Sequence, residues 1–250
     1  MINKIFWQVD QIGFLSNHLE AVAHRHWMMQ LFIGIEAPVE ITIEGKVIKC
    51  ESIVIAKNVS HAFSAKKQLY YSALIEPTSE FAEQLTSKVN DQGYWIVERQ
   101  GLDGLRQQAQ ELKSDSSIEK YLRFKEELVN YLGLQPFVNQ YDERVRQALE
   151  LLGTCECDDH TLANIAAKVH LSPSRLAHLF KEQIGVPLKS YLVLHQLERA
   201  FRELFDGKTT TEAALIAGFG TPSHFSSTVK KMMGMPVSFS LKDSEFLKVN

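Results

Sequence analysis

The sequence predicts a mixed fold of two domains: an N-terminal all-β barrel with accessory helices, and a C-terminal all-α double helix-turn-helix. Three features predict it. Short strand-like segments with turn residues between them fill the first 80 or so positions, the apolar spacing becomes helical near residue 78, and one pattern is written twice in the last third. The division that follows is 1–80 for the barrel, 81–136 for a helical linker or dimerisation region, and 137–250 for the doubled motif.

Within the barrel segment, Val39-Glu40-Ile41-Thr42-Ile43-Glu44 alternates apolar and polar side chains, the two-residue period of a strand with one buried face. Glu44-Gly45 supplies a tight turn, and Lys46-Val47-Ile48-Lys49-Cys50 returns. Residues 52–56 and 69–75 are further short strands. Such closely spaced strands suggest an all-β barrel or sandwich.

Residues 78–87 then predict a helix capped by Thr78 or Ser79, with Phe81, Ala82 and Leu85 on one face. The stretch 90–104 is irregular and punctuated by Gly93, Gly101 and Gly104. Helices follow at 105–112 and at Ile118–Leu132, the latter with Ile118, Tyr121, Leu122, Leu128, Val129 and Leu132 in one stripe. Gly133-Leu134-Gln135-Pro136 breaks that helix and is the expected linker. From Tyr141 onward the pattern is helical: 144–152, 161–169, Pro173–Ile184, 188–206 ended by Gly207, 210–217 and Pro222–Met233, with a short final turn after Pro236.

The repeat lies in those helices. One copy runs Ile165-Ala166, Ser172-Pro173-Ser174, Leu176, Phe180-Lys181, Gly185, Pro187; the other runs Ala213-Ala214, Thr221-Pro222-Ser223, Phe225, Val229-Lys230, Gly234, Pro236. The offset is 48 residues before the turn and 49 after it. Each copy reads as a helix-turn-helix, the unit that lays one helix in the major groove of DNA. Ala166 and Ala214 let the two helices approach, while Ser172 and Thr221 suit N-caps and Pro173 and Pro222 the first helical position. Leu176, Leu179, Phe180, Phe225 and Val229 then face the core. Ser174, Arg175, His178 and Lys181 face outward in one copy, and Ser223, His224, Ser227 and Lys230 in the other. Those are the positions at which base edges and phosphates would be met.

Charge argues the other way. Residues 137–250 carry 13 Lys+Arg against 13 Asp+Glu, and 1–136 carry 14 against 17, so no basic excess marks the doubled motif. A helical bundle whose Ser-Pro-Ser and Thr-Pro-Ser segments are only caps is the bland alternative; the intact motif spacing outweighs it. No apolar run is long enough to cross a bilayer and the start has no signal-peptide core, so a cytoplasmic, membrane-free protein is expected. Cys50, Cys155 and Cys157 make no disulfide framework. Cys155-Glu-Cys157-Asp-Asp-His160 is too closely spaced for most zinc knuckles, and Asp158 or Asp159 is expected to cap the next helix.

Residues 141–241 resemble the DNA-binding domain of the AraC/XylS family of bacterial transcription regulators. The matching residues are Leu162-Ala163-Asn164-Ile165-Ala166, Leu171-Ser172-Pro173-Ser174-Arg175-Leu176, Leu179-Phe180-Lys181, Gly185, Tyr191-Leu192, Leu197-Glu198-Arg199-Ala200, Ala214, Gly218-Phe219 and Ser223-His224-Phe225. The resemblance implies two recognition helices on a rigid connecting helix, entering successive major grooves. The chain departs from the family at Gln196, Thr210, Ala213, Ser227 and Val229, and its last proline is displaced to Pro236. Copy two is therefore expected to be the softer reading head. The DNA-contacting set is Ser172, Ser174, Arg175, His178, Lys181, Thr221, Ser223, His224, Ser227 and Lys230.

His24-Arg25-His26, Gln30, Gly45 and His61 resemble the cupin barrel that fronts many such regulators, in whose metal-binding forms a Glu stands where Gln30 is. The resemblance implies a small-molecule site at His24, His26, Gln30 and His61; a three-nitrogen metal site at His24, His26 and His61 is the alternative weighed against it, and no metal, cofactor or catalytic residue is expected. Trp27, Met29, Phe32, Phe63 and Tyr70 are candidate apolar walls. Double-stranded DNA, an effector of unknown identity, RNA polymerase and a second copy of the chain through the Ile118–Leu132 stripe are the expected partners. Two rival functions stand beside this one: a metal-dependent cupin enzyme with a helical tail, and a protein-binding regulator with a degenerate DNA-binding domain.

Overall fold

The computed structural model describes residues 2–8, 10–79, 81–135, 140–154, 161–238 and 244–249, apart from the side chains of 153 and 154. The chain forms two compact units: Met1–Phe137 with Val229–Asn250, and Val138–Thr228. The first unit therefore takes in the last part of the region expected at 137–250. Among the described residues no helix is long and apolar enough to cross a membrane.

The first unit is built on two sheets. Strands β1 (Asn3–Trp7), β2 (Gln11–Ser16), β4 (Met29–Gly34), β7 (Ser52–Ile55), β9 (Tyr70–Ile75), β10 (Tyr94–Ile96) and β11 (Glu245–Lys248) form one, in the order β10-β7-β4-β9-β2-β1-β11. Strands β3 (Glu20–His24), β5 (Val39–Ile43), β6 (Lys46–Cys50) and β8 (His61–Ser64) form the other, in the order β3-β8-β5-β6. The expected hairpin is present: β5 and β6 pair from Val39↔Cys50 to Ile43↔Lys46, with Glu44 and Gly45 both at positive φ in the turn.

The inner strands of the large sheet are buried on both faces. Met29, Leu31 and Ile33 of β4 and Tyr71, Ala73 and Ile75 of β9 point to the helices, within one apolar core. Phe32 and Tyr70, the alternate residues, meet Phe63 of the small sheet at ring separations of 4.6 and 4.5 Å. Helices α1 (Ala82–Lys88), α2 (Leu102–Ser114) and α3 (Ile118–Leu132) follow these strands, and Leu105, Ala109 and Leu112 of α2 join the same core. Helix α3 contributes Tyr121, Phe124, Leu128, Tyr131 and Leu132, and Tyr121 stacks on Phe6 at 4.2 Å. Ile118 and Leu122, expected in the buried stripe, are exposed, because the period that buries Tyr121, Leu128 and Leu132 also buries Phe124 and Tyr131 and so turns the stripe aside. Ser117 caps the start of α3, and Gly133 ends it in the left-handed conformation. Helix α1 starts later than expected: Phe81 occupies the N-cap position without a side-chain cap, while the Thr78 hydroxyl is turned to Glu76.

Strand β10 lies in the stretch expected to be irregular, and β11 lies beyond the expected final turn. Strand β11 runs parallel to β1, with Lys4 and Glu245 paired at 3.0 Å and Asn3 donating to the Ser244 hydroxyl at 2.8 Å. A segment of four residues with no apolar period of its own is a strand only because a sheet edge is offered to it.

The second unit holds α4 (Glu143–Thr154), α5 (Leu162–Lys168), α6 (Pro173–Ile184), α7 (Leu188–Phe205) and α8 (Thr210–Ile216); α9 (Pro222–Met233) begins there, and its last turn lies in the first unit. The doubled pattern extends to the caps. Thr161 caps α5, and Thr209 caps α8 in a reciprocal capping box with Glu212. Ser172 caps α6, accepting from the Arg175 N–H, and Thr221 accepts from the His224 N–H at the start of α9. The expected caps Asp158 and Asp159, with Cys155, Cys157 and His160, lie outside the described residues. Both turns close identically: the Leu171 and Phe219 N–H groups donate to the Ala166 and Ala214 carbonyls, each at 2.9 Å. The residue at the bend has positive φ in both, His170 at 55° and Gly218 at 82°.

Two stability tests follow. A methyl group on Gly13 of β2 would come 2.6 Å from the Tyr71 hydroxyl and 2.9 Å from that of Tyr121, between the sheet and α3. Gly13→Ala is expected to destabilise the protein by about 1–3 kcal/mol in urea unfolding. His170→Gly removes a side chain from a left-handed position and is expected to stabilise the helical unit by about 0.5–1 kcal/mol.

Candidate functional site

The two helix-turn-helix copies present matching faces. Leu176, Leu179, Phe180, Phe225 and Val229 are buried as expected. Ser174, Arg175, His178 and Lys181 are exposed on α6, and Ser223, His224, Ser227 and Lys230 on α9. Ser172 and Thr221 are exposed too, but their hydroxyls are engaged as caps. The Ser227 hydroxyl donates to the His224 carbonyl at 2.9 Å, and the His224 ring packs edge-on against Phe219 at 5.4 Å. Asp142, held below the usual carboxylate range first by its hydrogen bonds to Arg144, also feels Arg175, so a carboxylate lies in the field of the main cationic candidate on α6.

Helix α7 fixes the second turn. Gln196 donates to the Gly218 carbonyl at 3.2 Å and Arg199 to the Ile216 carbonyl at 2.9 Å, so two side chains of α7 satisfy the carbonyls at the end of α8. Gln196 is thus a structural residue of copy two. Sequence alone marks it only as a departure from the family pattern.

A second candidate site lies inside the first unit. Phe14, Leu19, Ala21, Phe32, Phe63, Tyr70 and Leu74 wall a pocket whose polar end is His24, His26, Gln30 and Ser72, and Met233 and Met235 complete it. Of the expected apolar walls, Phe32, Phe63 and Tyr70 are in place. Met29 is not: it is one residue out of phase with Gln30 on β4 and points to the helix-side core. Trp27 is not in the lining either. Ser72 carried a signal, since it alternates with Tyr70 and Leu74 along β9. Met233 and Met235 carried none, being more than 150 residues away from the strands they meet.

The three histidines converge. His24 ends β3, His26 follows in the next loop, and His61 opens β8 opposite His24 in register. Their rings lie 4.4–5.5 Å apart, and one nitrogen of each lies within 4.8 Å of the others. Each Nδ1 bonds a backbone carbonyl: His24 to Val22 at 2.8 Å, His26 to Met28 at 2.9 Å and His61 to Val59 at 2.9 Å. The Nε2 atoms of His26 and His61 face Gln30 Oε1 at 3.1 and 2.7 Å. Burial pushes His26 down to about 4 and His61 to about 3, with neighbouring histidines adding to both, and burial lowers His24 as well. The cluster is neutral near pH 7. Cys50 is buried, its thiol pushed up to about 11 by burial and then by Glu51, and it takes no part in the cluster.

A doubled helix-turn-helix joined to a two-sheet β unit defines a two-part helix-turn-helix protein. Comparison with known proteins makes this specific. Residues 165–242 match the helix-turn-helix domain family. The arabinose operon regulatory protein of Salmonella typhimurium is 34% identical over 97 residues, covering 37% of this chain and 34% of that protein. Its counterpart from Escherichia coli is 31% identical over 128 residues, covering 50% of this chain and 42% of that protein. The chain thus matches less than half the length of these relatives. The crystal structure of ToxT from Vibrio cholerae is similar over 94% of this chain and 98% of its own, with a TM-score of 0.57 and 13% identity, and so shares the two-part fold. Another ToxT structure, bound to an unsaturated fatty acid, has a TM-score of 0.53 at 11% identity, over 92% of this chain and 94% of its own. Over its helix-turn-helix region the chain is therefore similar in sequence to arabinose operon regulatory proteins, and over nearly its whole length it is similar in fold to ToxT.

One prediction concerns the buried imidazoles. Their folded pKa values lie below the unfolded value of 6.5, so the unfolded chain takes up protons first as pH falls. Stability they permit is complete above pH 6.5 and declines from there toward the folded values. In chelator-treated protein the melting temperature is expected to fall between pH 6.5 and 4.5, and His26→Gln/His61→Gln to flatten that slope.

Proposed function

We propose that this chain is a cytoplasmic, ligand-responsive transcription regulator that binds double-stranded DNA by laying α6 and α9 in two successive major grooves. The observation that carries this is the paired exposed face: Ser174, Arg175, His178 and Lys181 on one capped helix, Ser223, His224, Ser227 and Lys230 at the same phase on another. Arg175 and Lys181 supply the charge for phosphate and base contacts, and the N-terminal turns at Ser172 and Thr221 point backbone N–H groups outward for phosphate. Helix α6 is the stronger head. On α9 the Ser227 hydroxyl is already bonded to its own helix and His224 leans on Phe219, which leaves Lys230 as the cation of the proposed contact set there.

The effector site is the pocket whose polar end is His24, His26, Gln30 and Ser72, with His61 reaching Gln30 at 2.7 Å. Its chemistry suits a small molecule with an apolar body and one polar end; the unsaturated fatty acid bound by the similar ToxT is a molecule of that kind. Such a ligand acts by favouring one of two arrangements of the chain, without catalysis. Ile118 and Leu122, exposed on α3, suit contact with a second copy. RNA polymerase is the partner through which a bound regulator of this kind would act.

Selection of bound fragments from a random duplex pool, at low and at near-physiological salt, tests the reading. Two half-sites about one helical turn apart are expected. On the selected site, Arg175→Ala and His178→Ala are expected to cost about 1–3 kcal/mol each in binding titrations, and Ser227→Ala less. A folded protein that enriches nothing at either salt would remove the reading, and a larger loss at Ser227 would reverse the order of the two heads.

A further inference from the structure

We propose that the pocket between the sheets takes a slender alkyl alcohol, an uncharged molecule whose hydroxyl donates to Ser72 and whose chain runs past Met235 into the neighbouring groove. This rests on the effector reading of that pocket and narrows it to a ligand class. Every residue concerned lies in the first unit.

The hydrogens of the polar end lead there. The carbonyls of Met28 and Val59 only accept, so Nδ1 of His26 and of His61 each carries a proton, and each Nε2 needs a donor. The Gln30 amide stands between them, 3.1 Å from one Nε2 and 2.7 Å from the other, with Ser72 Oγ 3.2 Å from its second polar atom. The amide orientation that gives an N–H to each ring leaves its oxygen to accept the Ser72 hydroxyl hydrogen. All four side chains are then satisfied, and every polar hydrogen among them is used. His24 is turned to the backbones of Val22 and His61, and the Tyr70 hydroxyl to Ser16. What Ser72 still offers the pocket is a lone pair on Oγ. A ligand must bring the hydrogen.

Charge removes the alternatives. The described residues that line the pocket include no Lys, Arg, Asp or Glu, and burial keeps its histidines neutral near pH 7. A carboxylate there would lose its water and find neither a cation nor a free N–H, and an ammonium would find no anion. The neighbouring groove disfavours an anion further: Glu20 and Glu40 stand there against Lys66, which Glu40 already pairs at 2.6 Å. A hydroxyl gives up only its own hydration and regains a hydrogen bond.

Size selects a chain over a ring. The free space in the pocket is about 40 Å3, room for a few waters and too little for an aromatic ring. Ala21, Phe63 and Met235 border both this space and the groove, which has a volume of about 530 Å3. Met235 is the yielding member, an unbranched thioether carried just past the end of α9. An alkyl chain that turns it aside keeps its head at Ser72 and its tail in the groove.

The test titrates the full chain by calorimetry at neutral pH, in chelator and without DNA, with n-octanol, octanoate and n-octylamine. One octanol per chain is expected, with octanoate and octylamine each bound at least about tenfold more weakly. Ser72→Ala is expected to weaken octanol by about fivefold to tenfold. Met235→Trp, which fills the passage without touching the polar end, is expected to remove octanol binding from folded protein. Parent protein that binds octanoate as tightly as octanol, or that binds none of the three, would overturn the proposal, as would octanol binding unchanged in both variants. Octanol uptake by a protein that selects no DNA would leave the ligand class standing and sink the regulator reading alone; selected half-sites without octanol uptake would do the reverse.

Discussion

The central strands of the large sheet of the first unit have no solvent face, and most of that unit follows from this. A strand turns alternate side chains to opposite sides, so each central strand must serve two cores at once. On β4, Met29, Leu31 and Ile33 pack toward the helices while Gln30 and Phe32 look into the space between the sheets. On β9, Tyr71, Ala73 and Ile75 take the first role and Tyr70, Ser72 and Leu74 the second. The polar end of the pocket is therefore set by phase: Gln30 and Ser72 reach each other because their strands are paired with Phe32 opposite Ser72 and Gln30 opposite Leu74. A one-residue slip would send both into the helix-side core and bring Met29 and Tyr71 into the pocket.

The helical unit is governed by a different constraint, the need to satisfy helix ends at a sharp bend. Its two copies differ in most side chains yet share the hydroxyl caps, the proline start and the bend hydrogen bond. Gly220, the extra residue that shifts the offset from 48 to 49, falls after the shared bond and before the cap, where the chain has no partner group to misplace. Apolar contacts could then diverge. Copy two uses Phe219 and Phe225 against Phe201 of α7, and Gln196 and Arg199 close the turn from outside.

This division explains what could be read from the sequence. Caps, prolines, glycines and three-and-four spacing are local signals, so the bounds of α3, α6 and α9 were legible to the residue, while the buried stripe of α3 was legible only in part. Strand β5 was legible because one of its faces is half-exposed, which leaves the alternation Val39, Ile41, Ile43 visible. Strands β1, β2 and β9 are buried on both faces, so polar and apolar residues do not alternate along them and the sequence shows no phase. Strand β11 had no signal of its own. The same limit applies to the pocket: His24, His26 and His61 stood out as residue types, while Met29 and Phe32 were indistinguishable as walls until the phase of β4 was known.

Helix α9 carries the last consequence. Its first turns present Ser223, His224 and Ser227, and its final residue, Met233, lines the pocket. That last turn belongs to the first unit, where Met233 and Met235 pack beside Phe32 of β4, Phe63 of β8 and Tyr70 of β9. The pocket is therefore closed by residues from the far end of the chain, whose contribution no strand period could announce: strand pairing sets the phase of Gln30, Phe32, Tyr70 and Ser72, and the end of a helix supplies the remaining apolar wall.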